Sequence, residues 1–246
     1  MGVGITFDFF NTLIEPKDKY VSKRALKAVY DVGVKHGLTI DFTEFLNKFS
    51  SHWEKVLKKR IDEGKETRYS SNLIEIFTDI GIQPSETSEV IRETTDTYFR
   101  ILNAGVQLVE GALEVIENLS EKYKLGLISN FTYPPFIRAQ LEKYNLSGFF
   151  EVITISGDHG FTKPFPRIFN HTVELMNMKP NKVIHIGDSL ICDVIGAKKA
   201  GLKAIWFKRN NEQKIEGEYR PDLTINQLSE LLEAKLDSLI NNPKEL

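Results

Sequence analysis

The chain has 246 residues and a formal net charge of −2, and its 41% hydrophobic and 27% charged residues mark an ordinary globular protein. That balance argues against nucleic acid or an anionic membrane as the main partner, and no apolar run approaches the roughly 20 residues of a membrane span. Asp8 and Asn11 break the apolar stretch that a leader peptide would need, and the one cysteine, Cys192, cannot form an internal disulfide, so a reducing cytoplasm is the expected location.

The first element is a short apolar strand, VGITFDF at 3–9. Residues 16–105 then hold no convincing strand, and helical spacing dominates. DKYVSKRALKAVYDVGVKHG ends at Gly37, and DFTEFLNKFSSHWEKVLKKRIDEG opens on Asp41 and stops at Gly64. RYSSNLIEIFTDIG and SETSEVIRETTDTYFRILNAG complete a set of four helices. Beyond them come KLGLIS (124–129), EVITIS (151–156), KVIHIG (182–187), KAIWF (203–207) and DLTI (222–225). These runs are too short for helices, and amphipathic stretches at 109–123 and 163–177 read as crossover helices between them. The pattern predicts an α/β protein: a Rossmann-like parallel-sheet core, 1–15 with 106–246, interrupted by an all-helical cap at 16–105.

Four stretches carry candidate chemistry: DFFNTL at 8–13, LISN at 127–130, KPFPRIF at 163–169 and IGDSLICDVIGAKKAG at 186–201. Open α/β sheets place ligands at the carboxyl ends of their strands, so Asp8, Ser129, Lys163, Asp188 and Asp193 should converge in one crevice. Taken singly, each has an ordinary reading. Asp8 or Ser129 could cap a helix, Gly187-Asp188-Ser189 could be a turn, and Lys163 could be solvated. His185, inside an apolar strand, reads as a core residue, and Cys192 reads as a small buried hydrophobe. His52, His159 and His171 lack metal-ligand spacing.

In combination and order the stretches resemble the haloacid dehalogenase-like hydrolase superfamily, in the branch whose helical cap lies between the first and second motifs. The resemblance covers essentially the whole chain. Its first motif, Asp-x-Asp-x-Thr, is matched by Asp8, Phe10 and Thr12; its second by Ser129 with Asn130; its third by Lys163-Pro164; its fourth by Gly187-Asp188 and Asp193. The resemblance implies a phosphatase acting on a small phosphorylated metabolite through an aspartyl-phosphate on Asp8. Ser129, Asn130 and Thr12 would surround the phosphoryl group, and Lys163 would neutralise charge. It also implies Mg²⁺ held by Asp8, the Phe10 carbonyl, Asp188 and Asp193, and a monomer or homodimer. Three carboxylates against one lysine leave two negative charges, which a divalent cation would cancel.

Phe10 departs from the pattern, because the family's second aspartate protonates the leaving group and activates water. Losing general acid/base catalysis costs roughly 10²- to 10⁴-fold, least where the leaving group is good. A 2-haloacid dehalogenase is the alternative, since expelling halide needs no proton and those enzymes are similar in carrying an aromatic residue at this position. Against it, Asp188 would repel a haloacid carboxylate, and Phe169 stands where those enzymes place a tyrosine. A catalytically silent member that binds a phosphorylated ligand is a third reading. Phosphonoacetaldehyde hydrolases also lack the second aspartate and use a cap lysine, but nothing singles out Lys23 or Lys27. Within the cap, Arg68 in the loop Gly64–Tyr69 is the candidate for substrate choice, beside the reading that this loop is merely solvated. Asn11 replaces the family's usual Gly and is the best non-Gly residue should the position need positive φ.

Overall fold

The computed structural model describes residues 2–209 and 218–241. In chain order its main elements are β1 (Gly4–Phe7), β2 (Ile14–Pro16), α1 (Val21–Lys35), α2 (Phe42–Glu63), α3 (Tyr69–Asp79), α4 (Glu89–Gly105), β3 (Val106–Leu108) and α5 (Ala112–Ser120). There follow β4 (Lys124–Ser129), α6 (Pro134–Lys143), β5 (Val152–Ile155), α7 (Ser156–His159), α8 (Pro166–Leu175), β6 (Val183–Gly187), α9 (Gly196–Lys199), β7 (Lys203–Phe207) and β8 (Leu223–Ile225). The chain divides into two compact units, Met1–Glu15 with Leu108–Leu246, and Pro16–Gln107.

In the first unit, six strands pair in the order β5-β4-β1-β6-β7-β8, all parallel. Every residue of β1 and of β6 is buried, as expected of strands covered on both faces. Ile128, Phe169, Val194 and Trp206 belong to one apolar cluster beside the sheet. Since β1 lies between β4 and β6, the segments that follow these three strands, beginning at Asp8, Asn130 and Asp188, leave the sheet side by side. Here is the crossover arrangement that opens a crevice in doubly wound sheets.

The second unit holds α1 to α4. Its longest helix, α2, has the start and stop that its sequence announces. Asp41 accepts from the backbone N–H of Thr43 and Glu44, and Gly64 takes a left-handed φ of 67° beyond the last turn. Rings fill the interior: Tyr69 meets Phe99 at 4.8 Å between centroids, and Phe45 lies 5.6 Å from Tyr30 and 5.8 Å from Phe49. No helix among the described residues is long and apolar enough to cross a membrane.

Candidate active site

Asp8 follows the last residue of β1, and its backbone N–H continues the sheet pattern by donating to Ile186 O at 2.8 Å. Residues 9–14 then fold into a tight turn. Phe9 O accepts from the N–H groups of Leu13 and Ile14, Asn11 N–H donates to Ile14 O, and Asn11 takes φ 66°, the left-handed conformation that Asn tolerates best after Gly. The turn brings Thr12 back over the nucleophile candidate, where its hydroxyl donates to Asp8 Oδ2 at 3.0 Å.

Lys163 comes from far along the chain. Its ammonium donates to Asp8 Oδ1 and to Asp193 Oδ1, each at 2.6 Å, and only 2% of the residue is exposed. The reading of Lys163 as a solvated lysine is therefore wrong. So is the expected start of the crossover helix at 163, because α8 begins at Pro166 and leaves Lys163 in the preceding loop. Asn130 holds that loop: its Oδ1 accepts from Lys163 N–H and its Nδ2 donates to Lys163 O, both at 2.8 Å. The side chain of Asn130 thus holds the backbone of Lys163 in place. Ser129, 1% exposed, ends β4; the cap position of the following helix is Tyr133, so Ser129 is not an N-cap.

Asp193 sits in a wide π-helical turn, Leu190–Ile195, that runs into α9. Its Oδ2 accepts from Ser189 N–H at 2.9 Å and its Oδ1 accepts from His185 Nε2 at 3.1 Å as well as from Lys163. The carboxylate packs so closely on the end of β6 that a Cβ at Gly187 would lie 2.3 Å from Asp193 Cγ. Only glycine fits there, which supplies a steric reason for the Gly187-Asp188 pair. Asp188 is half-buried, and Trp206 Nε1 fixes its backbone by donating to its carbonyl at 2.9 Å.

His185 is a contributor that sequence reasoning does not select. Burial holds its imidazole below the ordinary histidine value, against the pull of Asp193. A neutral ring facing an ionised carboxylate must carry its proton on Nε2, so Nδ1 accepts from the hydroxyl of Thr6, 2.9 Å away. Thr6, His185, Asp193, Lys163 and Asp8 then form one hydrogen-bonded chain through the core. The signal that could have found it is a polar residue in the middle of an apolar strand, eight residues before an aspartate.

The charges are unequally placed. Burial, opposed by Lys163 and reinforced by Asp193, pushes the Asp8 carboxyl up to about 6. Burial, with Asp8 and Asp193 beside it, pushes Asp188 up to about 7. Burial also works against Asp193, but Lys163 and His185 outweigh it and hold that carboxyl well below the usual range. For Lys163 the two aspartates likewise outweigh burial and keep the ammonium charged. Asp8, Asp188 and Asp193 offer oxygens that all lie within 4.8 Å of one another. Two of these carboxyls are strained towards protonation and one lysine does not balance them, so the set suits a hard, oxygen-seeking divalent cation. With three donors already on Asp193, Asp8 and Asp188 have the freer oxygens.

Arg68 lies in the other unit, exposed at the start of α3 with an extended backbone and no capping hydrogen bond. Phe10 is half-buried and its ring stacks on Phe131, 6.3 Å between centroids, while Phe169 is wholly buried edge-on to His185.

The model of the family described as haloacid dehalogenase-like hydrolase matches residues 37–207, and the chain belongs to that family of hydrolases. The matched range starts after Asp8, so the family model does not itself cover the nucleophile candidate. A glyceraldehyde 3-phosphate phosphatase from Pyrococcus furiosus is 28% identical over 232 residues, 93% of this chain and 91% of that protein. Among solved structures, the putative HAD-hydrolase YfnB of Bacillus subtilis, bound to magnesium, is 24% identical with a TM-score of 0.66, covering 94% of this chain and 97% of that one. A 2-haloacid dehalogenase from Pseudomonas syringae is 22% identical with a TM-score of 0.69, covering 95% and 97%. At such identities the solved structures speak for the fold only, and that fold hosts more than one reaction.

Proposed function

We propose that the protein is a Mg²⁺-dependent phosphatase that forms an aspartyl-phosphate on Asp8 and favours good leaving groups. The observation that carries this reading is the buried Lys163 ammonium shared by Asp8 and Asp193 at 2.6 Å each, with Asp188 alongside. A carboxylate oriented by Lys163 and Thr12 has its charge directed and its rotation stopped, which suits a nucleophile. An Asp8 oxygen attacks phosphorus, the P–O bond to the leaving group breaks, and the leaving oxygen departs with the bonding pair. Water then attacks the phosphorus of the acyl phosphate, the bond to Asp8 breaks, and inorganic phosphate is released. Ser129 Oγ and the Asn130 backbone N–H are assigned to the phosphoryl oxygens, with Lys163 neutralising charge on both partners. Asp8, the Phe10 carbonyl and Asp188 would hold Mg²⁺, with Asp193 supporting, and the bound ion would offset the phosphoryl charge.

Phe10 offers no proton at the place where a leaving oxygen needs one. The named substrate of the Pyrococcus relative is an alkyl phosphate. For this chain, Phe10 argues that aryl and acyl phosphates turn over faster than alkyl ones. Phosphate release from a substrate panel, with Mg²⁺ and with chelator, tests the reading. Metal-independent chloride release from 2-chloropropionate would assign the site to dehalogenation, and no turnover of any substrate would leave a silent ligand binder.

The cation itself has a simpler test. At a hundredfold excess over Kd, bound Mg²⁺ stabilises by about 2.7 kcal/mol, which for a protein of this size raises Tm by roughly 5–10 °C. Equal melts in Mg²⁺ and in chelator, with no titratable binding, would remove the metal from the mechanism.

Arg68 is proposed as a cation that selects anionic substrates. Arg68→Ala should raise KM several-fold for such a substrate while Tm stays within about 1–2 °C, since exposed substitutions are usually close to neutral. Unchanged KM would return Arg68 to the solvated surface.

A further inference from the structure

Phe10 belongs to a stack of three rings. Phe136, 3% exposed, is rooted in the core; Phe131 lies parallel to it at 5.1 Å and 20°, and Phe10 continues the column at 6.3 Å and 26°. With Phe136 on one side of Phe131 and Phe10 on the other, the half-buried Phe10 is the outer ring of the column. It surfaces beside the nucleophile, because Phe10 is two residues beyond Asp8 and Phe131 two beyond Ser129, at the ends of adjacent strands.

The backbone under both rings is fixed. Phe131 N–H donates to Ser156 Oγ at 2.8 Å and Phe131 O accepts from Gly157 N–H at 3.1 Å. Phe10 bridges to Ile14 and precedes the left-handed Asn11. A rigid aromatic ring two residues beyond Asp8 does more than lack an acid. It offers a π-face held at no further entropic cost, and offset-stacked aromatic pairs gain beyond their buried area.

We infer that Phe10, backed by Phe131 and Phe136, forms a leaving-group subsite for a planar aromatic ring, which makes an aryl phosphate the substrate class of this site. The inference rests on the phosphatase reading above for the identity of the reacting group, but the subsite can be tested by binding alone.

The probes are phenylphosphonate and cyclohexylphosphonate, titrated calorimetrically into the whole protein in Mg²⁺. The two have similar volume, and the saturated ring is the more hydrophobic, so apolar burial alone would favour cyclohexyl. Stacking reverses that order, and phenylphosphonate is expected to bind about threefold to tenfold more tightly. The preference should collapse in Phe10→Ala and return in Phe10→Tyr, which keeps the ring face. Equal affinities, tighter binding of cyclohexylphosphonate, a preference that survives Phe10→Ala, or binding of neither probe would each overturn the subsite. A protein that hydrolyses phosphates without such a preference loses the subsite alone. One that hydrolyses nothing yet prefers the phenyl probe keeps the subsite and loses the hydrolase.

Discussion

Asp8→Asn should abolish phosphate release, with kcat falling by at least about 10³-fold, the scale expected when a covalent nucleophile is removed. The fold should not suffer. Asn fills the same volume, Lys163 keeps Asp193 as its counterion, and Asp188 loses a repelling neighbour. Without divalent cation, Tm is therefore expected at or above the wild-type value, and the Mg²⁺-induced rise should shrink because one ligand has lost its charge. Phosphate-release assays and melts on the same preparation check both halves. Substantial activity in Asp8→Asn would mean that some other group attacks phosphorus.

Phe10→Asp should raise turnover of alkyl phosphates by roughly 10²-fold, the lower range of general-acid catalysis, and help aryl phosphates much less. The asymmetry is the informative part: a phenolate leaves without help, whereas an alkoxide needs a proton as its bond breaks. The substitution also has costs. It removes one ring from the Phe10–Phe131 pair, worth about 0.5–1.5 kcal/mol, and adds a fourth carboxylate to a cluster already short of positive charge. The variant should therefore melt lower than wild type in chelator and recover more on adding Mg²⁺. If alkyl turnover stays flat while the variant is folded and binds metal, position 10 does not face the leaving group, and the cause of any leaving-group bias lies elsewhere.

The parts of this protein that could be read in one dimension are those with local causes. Strand runs such as KVIHIG and KAIWF are apolar because both faces of the sheet are covered, and Asp41 and Gly64 bound α2 through contacts within a few residues. Asp8, Asp188 and Asp193 were legible because carboxylates recurring in a fixed order at strand ends are rarely produced by turns and helix caps alone. Lys163 was legible as a candidate but not as a buried group, because its burial is created by Asn130, 33 positions earlier, and Asp193, 30 later. His185 reads as core until Thr6 and Asp193 are seen on its two nitrogens. Phe10 reads as a gap in a motif, since nothing in the order of residues announces that Phe131 and Phe136 will line up behind it. In each case the missing information was a partner brought close by the sheet rather than by the chain.

The placement of β1 between β4 and β6 bears on the order in which the molecule can be made. The strand that carries Asp8 is synthesised first, yet the ammonium it needs lies 155 residues downstream, and Thr6 meets His185 across 179. The whole helical unit is translated before either neighbouring strand exists. Contacts so distant in sequence carry the largest loop-closure cost and are slow to form. The Asp8–Lys163–Asp193 cluster can therefore close only after β6 has been made and paired with β1. A nascent or partly opened chain, even one rich in finished helices, holds Asp8 without its Lys163 partner.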